Sequence, residues 1–148
     1  MLDPKSGELV LASSGVRLGP AWSRTRFLES EIGRQATTSL VNEPWARYAL
    51  ELPTGEIGPF PATVQLQFNG EKLYWLTVMD GSPEFGESWD DWSRENEQAR
   101  RAAHDRWLES CGAPPRRYPW ALVWSDFDDK AGFSSIVIRY DTSGTRLP

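Results

Sequence analysis

The sequence predicts an α+β domain: a mainly antiparallel sheet of about five to six strands, one long helix packed on one face, and a short N-terminal helix. Two observations carry that prediction. Val64, Leu66 and Phe68 alternate with Thr63, Gln65 and Gln67, and Asn69-Gly70 then leads into a second apolar run over 72–79. Over 88–110 apolar residues recur at helical spacing, and Gly112 and Pro114-Pro115 follow where a helix should stop. The 148 residues are read as a single α+β domain spanning 1–148, long enough to bury a core.

Each element has its own justification. Residues 8–11 and 16–18 are β-prone runs separated by Ser13-Ser14-Gly15, which predicts a small hairpin. Ser23 is a good N-cap for a short helix, Trp22 and Phe27 stand where a hydrophobic staple would, and Gly33 is the expected stop. Over 45–52 Tyr48, Leu50 and Leu52 share one face of an extended segment, punctuated by Pro53-Thr54-Gly55. Asn69-Gly70 reads as a type I′ hairpin turn, in which both central residues take positive φ.

For the long helix, Ser88 is the expected cap, with Asp90 and Asp91 near the positive end of the dipole. Trp92, Ala99, Ala103 and Trp107 form its expected sheet-facing stripe, and Arg100, Arg101 and Arg106 complement Glu97, Asp105 and Glu109 on the wetter side. Residues 120–125 and 134–140 complete the sheet as two strands.

Composition narrows the function. The formal net charge of −5 and pI near 4.9 argue against nucleic acid, which needs a basic face, and favour a basic protein partner. Eight Trp are unusual for so short a chain; Trp serves interfaces as well as cores, and the expectation is that most are core or half-buried and one or two are recognition anchors. Cys111 is the single cysteine, so neither a disulfide framework nor a cysteine zinc site is available. The start, MLDPKSGELV, has no basic region followed by an apolar one, and no apolar run is long enough to span a bilayer. The expectation is a cytoplasmic protein with no membrane partner. The excess of Arg over Lys hints at a GC-rich bacterial genome.

Catalytic candidates are few. His104 is the only histidine, and its neighbour Asp105 does not face it on a helix. Cys111 would sit at a helix C-terminus, where the dipole disfavours a thiolate. Asp126-Phe127-Asp128-Asp129 resembles the opening of a calcium loop but lacks its glycine and distal glutamate. No catalytic residue, metal or cofactor is predicted.

What stands out is 80–91: five acids and no base, with Phe85 and Trp89 among them. Strand 72–79, the helix and strand 120–125 follow one another. A helix returning antiparallel makes the two strands parallel, so their C-terminal ends share one edge of the sheet. That places Asp80, Glu84, Glu87, Asp90 and Asp91 with Asp126, Asp128 and Asp129. With Phe85 and Trp89 as aromatic anchors, these ten residues are the predicted partner-binding surface.

The stretches DWSRENEQARRAAHDRWL (91–108) and YPWALVWSDFDDKAGFSSIVIRY (118–140) resemble small bacterial immunity-type proteins that accompany secreted polymorphic toxins. The Asp-Trp-Ser opening, the His-Asp-x-Trp-Leu end and the Ser-Ser-Ile-x-Ile-x-Tyr strand carry the likeness; Ala121 departs from it, where the pattern often has Gly. The resemblance implies a non-enzymatic inhibitor that binds a cognate toxin, and it transfers no binding residue. The alternative reading is a small enzyme or ligand-binding domain with a cavity between helix and sheet. A third is an adaptor subunit, which a flat apolar sheet face would favour.

Overall fold

Residues 1–128 and 132–140 are described by a computed structural model. Asp129 and the side chain of Asp128, both in the predicted surface, lie outside the described residues, as does the middle of the last hairpin's connection.

The chain begins with an antiparallel pair, β1 (Leu9–Val10) and β2 (Arg17–Leu18), with Leu9 opposite Leu18. Two short helices follow, α1 (Arg24–Glu29) and α2 (Glu31–Gln35). Ser23 caps α1 as expected, its hydroxyl accepting from the Arg26 N–H at 3.0 Å. Ser30, not Gly33, ends the helix: its N–H donates to the carbonyls of Arg26 and Phe27 while its hydroxyl accepts from Gly33 N–H and starts α2. Gly33 is instead a close-approach residue inside α2, because a Cβ there would lie 1.7 Å from the Phe27 carbonyl oxygen.

The main sheet has seven strands in the order β3-β4-β5-β6-β9-β8-β7, and every neighbouring pair is antiparallel. These are β3 (Thr37–Asn42), β4 (Trp45–Leu52), β5 (Ala62–Asn69), β6 (Lys72–Asp80), β7 (Arg116–Arg117), β8 (Leu122–Asp128) and β9 (Phe133–Arg139). The expected count of five to six is exceeded because β3 and β7 close the two edges. Neither carries an alternating apolar pattern: β3 is exposed throughout and β7 is only two residues. Only pairing reveals them.

The β5–β6 turn also differs from expectation. Asn69 pairs with Lys72, so the central residues are Gly70 and Glu71; Gly70 has φ +59°, and among the described residues no non-glycine residue has positive φ. Glycine with positive φ at the first central position is the arrangement of a type II′ turn, not the type I′ turn read from Asn-Gly. Tyr74 is then the extra residue of a bulge, since Gln67 faces Trp75 and Phe68 faces Leu73.

The long helix, α3 (Arg94–Ser110), starts later than the sequence suggests. Ser93 is its cap, accepting from Asn96 N–H at 3.0 Å, while Ser88 heads a separate 3₁₀ turn, Trp89–Asp91. The face that α3 buries is not the alanine stripe either. Its buried residues are Glu97, Arg100, His104, Trp107 and Leu108, whereas Ala99 is exposed and Ala103 only half-buried. A salt bridge and a histidine thus occupy positions that hydropathy assigns to the wet side.

The buried core includes Leu50, Val64, Leu66, Phe68, Leu76 and Ile138 of the sheet, with Phe27 of α1 and Trp107 of α3 among the residues packed with them. β9 lies between β6 and β8 and is antiparallel to both, so β6 and β8 run parallel and end at the same edge, the relation expected of two strands joined by a returning helix.

Candidate binding surface

The segment between β6 and α3 is built from two successive 3₁₀ turns, Pro83–Phe85 and Trp89–Asp91. Asp80, at the end of β6, is 6% exposed. Its Oδ1 accepts from the N–H and the hydroxyl of Ser82 at 2.8 and 2.5 Å, which turns the chain off the sheet. Its own N–H donates to Nε2 of His104 at 2.9 Å. Burial pushes His104 down to about 4, helped by the charge of Arg100 and opposed by Asp80 and Asp105, so the imidazole is neutral and accepts through Nε2.

Arg100 holds the first 3₁₀ turn to the helix. Its Nη1 meets both carboxylate oxygens of Glu97 at 2.8 and 2.7 Å, and Nη2 donates to the carbonyls of Phe85 and Gly86 at 3.2 and 3.3 Å. Phe85 is buried, with the guanidinium 5.7 Å from its ring centre, so it seals the loop rather than offering itself to solvent. Glu97 also accepts from Ser134 N–H at 2.8 Å, and the Ser134 hydroxyl donates to the Glu97 carbonyl at 2.9 Å. One buried ion pair thus ties α3, the acidic loop and the start of β9 together.

Asp91 is structural too. Its carboxylate accepts from the N–H groups of Glu87 and Ser88, completing a capping box, and those bonds hold its pKa below the usual aspartate value. Glu84, Glu87, Asp90 and Asp126 are the predicted acids that stand exposed without such a task among the described residues.

Among them is Trp89, 64% exposed, the most exposed large hydrophobic residue of the described chain. It does not swing free. Its ring centre lies 5.0 Å from that of Phe133 and 6.3 Å from that of Trp92, and Trp92 is pinned by an Nε1–H bond to the Gly132 carbonyl at 2.6 Å. The result is a propped aromatic plate with Glu87 and Asp90 beside it in the chain.

Two surfaces were not foreseen. The sheet face opposite α3 is open, and a trough of about 470 Å³ crosses it, walled by Trp75, Met79, Trp124 and Val137 with Arg47 and Asp126 among its polar residues. Trp75 and Trp124 stand on the face opposite buried Leu76 and Val123, which was the available signal. The face mixes aromatic and polar groups and is not the apolar sheet of an adaptor. A second groove, about 710 Å³, runs along α3 and includes Asp80, Glu84 and Phe85. Between α3 and the sheet the Glu97–Arg100 pair, His104 and Trp107 are buried, and a smaller pocket of about 210 Å³ opens between α3 and the strands β8 and β9, lined by Glu97, Arg101, Phe127 and Ser134 among others.

Among the described residues no group of three or more His, Cys, Asp and Glu converges where it could hold a metal, and no helix is long and apolar enough to cross a membrane. The chain matches no protein-family model, no curated protein and no solved structure.

Proposed function

We propose that this chain is a non-enzymatic protein-binding domain of the immunity type, acting in the bacterial cytoplasm to neutralise a cognate toxin or effector by covering a basic surface. The observation that carries the reading is Trp89: an indole left 64% exposed yet fixed against Phe133 and Trp92, beside Glu87 and Asp90. Leaving an apolar plate this size in water costs solubility, and burying it in a partner recovers that area without reordering its side chain. Surrounding acids add steering toward a basic partner more than they add affinity. The sequence likeness of 91–108 and 118–140 to immunity-type proteins points the same way.

The test begins with the chain as bait in host extract, followed by reconstitution with the captured protein. Trp89→Ala should slow nothing but raise the off-rate, with affinity falling at least about tenfold, the scale of a central aromatic anchor. Glu87→Lys with Asp90→Lys should lower the on-rate and flatten its salt dependence. Co-expression should relieve the partner's toxicity. A partner bound equally by all variants, or one whose activity is untouched, would overturn the reading.

A further inference from the structure

The open face of the sheet carries its charges in a fixed order. In register across the strands, Arg47 of β4, Gln67 of β5, Trp75 of β6 and Arg139 of β9 form one row. Two residues along each strand, the next row is Ala49, Gln65, Thr77, Val137 and, on β8, Trp124. Two residues further, Glu51 stands beside Thr63 and Asp126 beside Ser135. Positions two apart share a face, and the alternate positions Tyr48, Leu50, Ile136 and Ile138 are buried on the other side. Two bases therefore stand on one side of an uncharged middle row and two acids on the other, about 14 Å apart along the strands.

Among the described residues none of these four charges has a counter-charge. Arg47 donates through Nε and Nη2 to Gln67 Oε1 at 3.0 and 2.9 Å, a neutral acceptor. Glu51 accepts from the Thr63 hydroxyl at 2.8 Å. Arg139 donates to the Tyr74 hydroxyl and lies 4.8 Å from the centre of that ring, and its buried Nε has no hydrogen-bond partner among the described residues. Asp126 is exposed. Neutral partners thus hold Arg47, Glu51 and Arg139 in place and leave their charges unmatched, around the trough walled by Trp75 and Trp124.

We infer that a second copy of this chain covers this face, sheet on sheet, with the strands of the two copies antiparallel. The order of the charges selects that occupant and that arrangement. A two-fold axis lying in the face along the middle row keeps each strand over its own copy and reverses its direction. Arg47 then faces Glu51 of the second copy and Glu51 faces its Arg47, while Arg139 meets the row of Ser135 and Asp126. A two-fold along the strands would instead set Arg47 against Arg139 and Glu51 against Asp126, base on base and acid on acid. Two sheets packed this way lie about 10 Å apart, and Trp75 and Trp124 supply the apolar area between them. The five strands span about 19 Å and the three rows about 14 Å, so with side-chain margins the pair buries on the order of 1,000 Å² in total. That is the lower bound of a specific interface, which makes the dimer micromolar and, with its charge pairs, salt-sensitive. It does not depend on the proposed function, because Trp89 is not among the residues that wall the trough.

The experiment is sedimentation velocity on the full chain across a range of concentrations, at low and at high salt. The native chain should pass from a monomer of 16.8 kDa to a dimer with a Kd on the order of 10–100 μM, weaker at high salt. Arg47→Glu and Glu51→Arg each set like charges face to face and should each raise that Kd at least about tenfold. Mixed together, the two weakened variants should form a heterodimer, since glutamate at 47 then faces arginine at 51. Both changes in one chain should restore the homodimer for the same reason. Should Arg47→Glu fail to fold, Glu51→Arg and Asp126→Arg, both at exposed positions, must each weaken the dimer. A native chain that stays monomeric overturns the inference. So do single variants that dimerise as the native chain does, or folded variants that do not associate when mixed.

Discussion

The Asp80 N–H donates to Nε2 of His104 at 2.9 Å, joining the last residue of β6 to the middle of α3 in a fully buried contact. Everything at the carboxyl edge is referred to this bond, because it fixes where the acidic loop leaves the sheet relative to the helix it feeds. It also demands a neutral imidazole, since a protonated histidine has no lone pair to accept with.

Stability should therefore fall as His104 is forced to ionise. Its pKa is lowered from 6.5 to about 4, chiefly by burial. Below 6.5 the unfolded chain binds a proton that the folded chain refuses, so the stability this site contributes is complete above pH 6.5 and is lost as pH falls toward 4. The loss is about 3 kcal/mol over that window. Urea midpoints at pH 7 and pH 4.5 measure it. His104→Gln should show a clearly shallower slope than the native chain, with the carboxylate titrations common to both; parallel slopes would remove His104 from the account.

Breaking the Glu97–Arg100 pair should be costly, because both side chains are at most 2% exposed. Glu97→Gln leaves a buried guanidinium without its counter-ion, a loss of about 3–5 kcal/mol. Replacing both residues, Glu97→Leu with Arg100→Met, should not restore stability as apolar swaps of buried pairs often do. Here Ser134 N–H and the carbonyls of Phe85 and Gly86 also lose their partners. Chemical denaturation of the two variants checks this, and a double variant as stable as the native chain would show that the network adds nothing beyond the pair.

That network marks where the sequence stops being legible. Strands β4, β5 and β9 were readable because Tyr48, Leu50, Val64, Leu66, Phe68, Ile136 and Ile138 put period-two burial directly into the pattern. The parallel relation of β6 and β8, and hence the meeting of their ends, followed from chain connectivity alone. The buried face of α3 was not readable. Glu97 and Arg100 at i and i+3 look like a solvated pair, and only the carbonyls and N–H groups of distant segments make their burial tolerable. Asp80, Phe85 and Asp91 were read as one acidic surface with Trp89, whereas a buried Asx turn, a sealed ring and a capping box use them locally. Proximity in sequence identified the edge but not which side chains face outward.

That division of labour is testable inside one short run. Asp91→Ala removes the acceptor for Glu87 and Ser88 N–H, so amide exchange at those two residues should accelerate several-fold while the core stays protected. Asp90→Ala, one residue away and without a hydrogen-bond task, should leave exchange unchanged. Equal effects from the two would mean that charge near the helix, rather than the capping bonds, orders the loop.

Gly132 supplies the remaining link between loop geometry and recognition. Its φ is +77°, and a Cβ there would stand 2.9 Å from Cη2 and 3.0 Å from Cζ3 of Trp89. Its carbonyl accepts from Trp92 Nε1–H at 2.6 Å, so the same residue seats both indoles. Gly132→Ala should cost about 1–2 kcal/mol for a left-handed alanine, within what a folded domain tolerates. The larger effect should fall on the plate. Trp89 must leave its contact with Phe133 to clear the methyl, while Trp92 keeps its carbonyl partner only if the turn holds. The indole N–H resonances of Trp89 and Trp92 should move, those of Trp22 and Trp107 should not, and partner affinity should fall toward that of Trp89→Ala. If Gly132→Ala instead binds as the native chain does with both indole signals unmoved, the exposed tryptophan needs no fixed seat, and pre-ordering of Trp89 drops out of the explanation of binding.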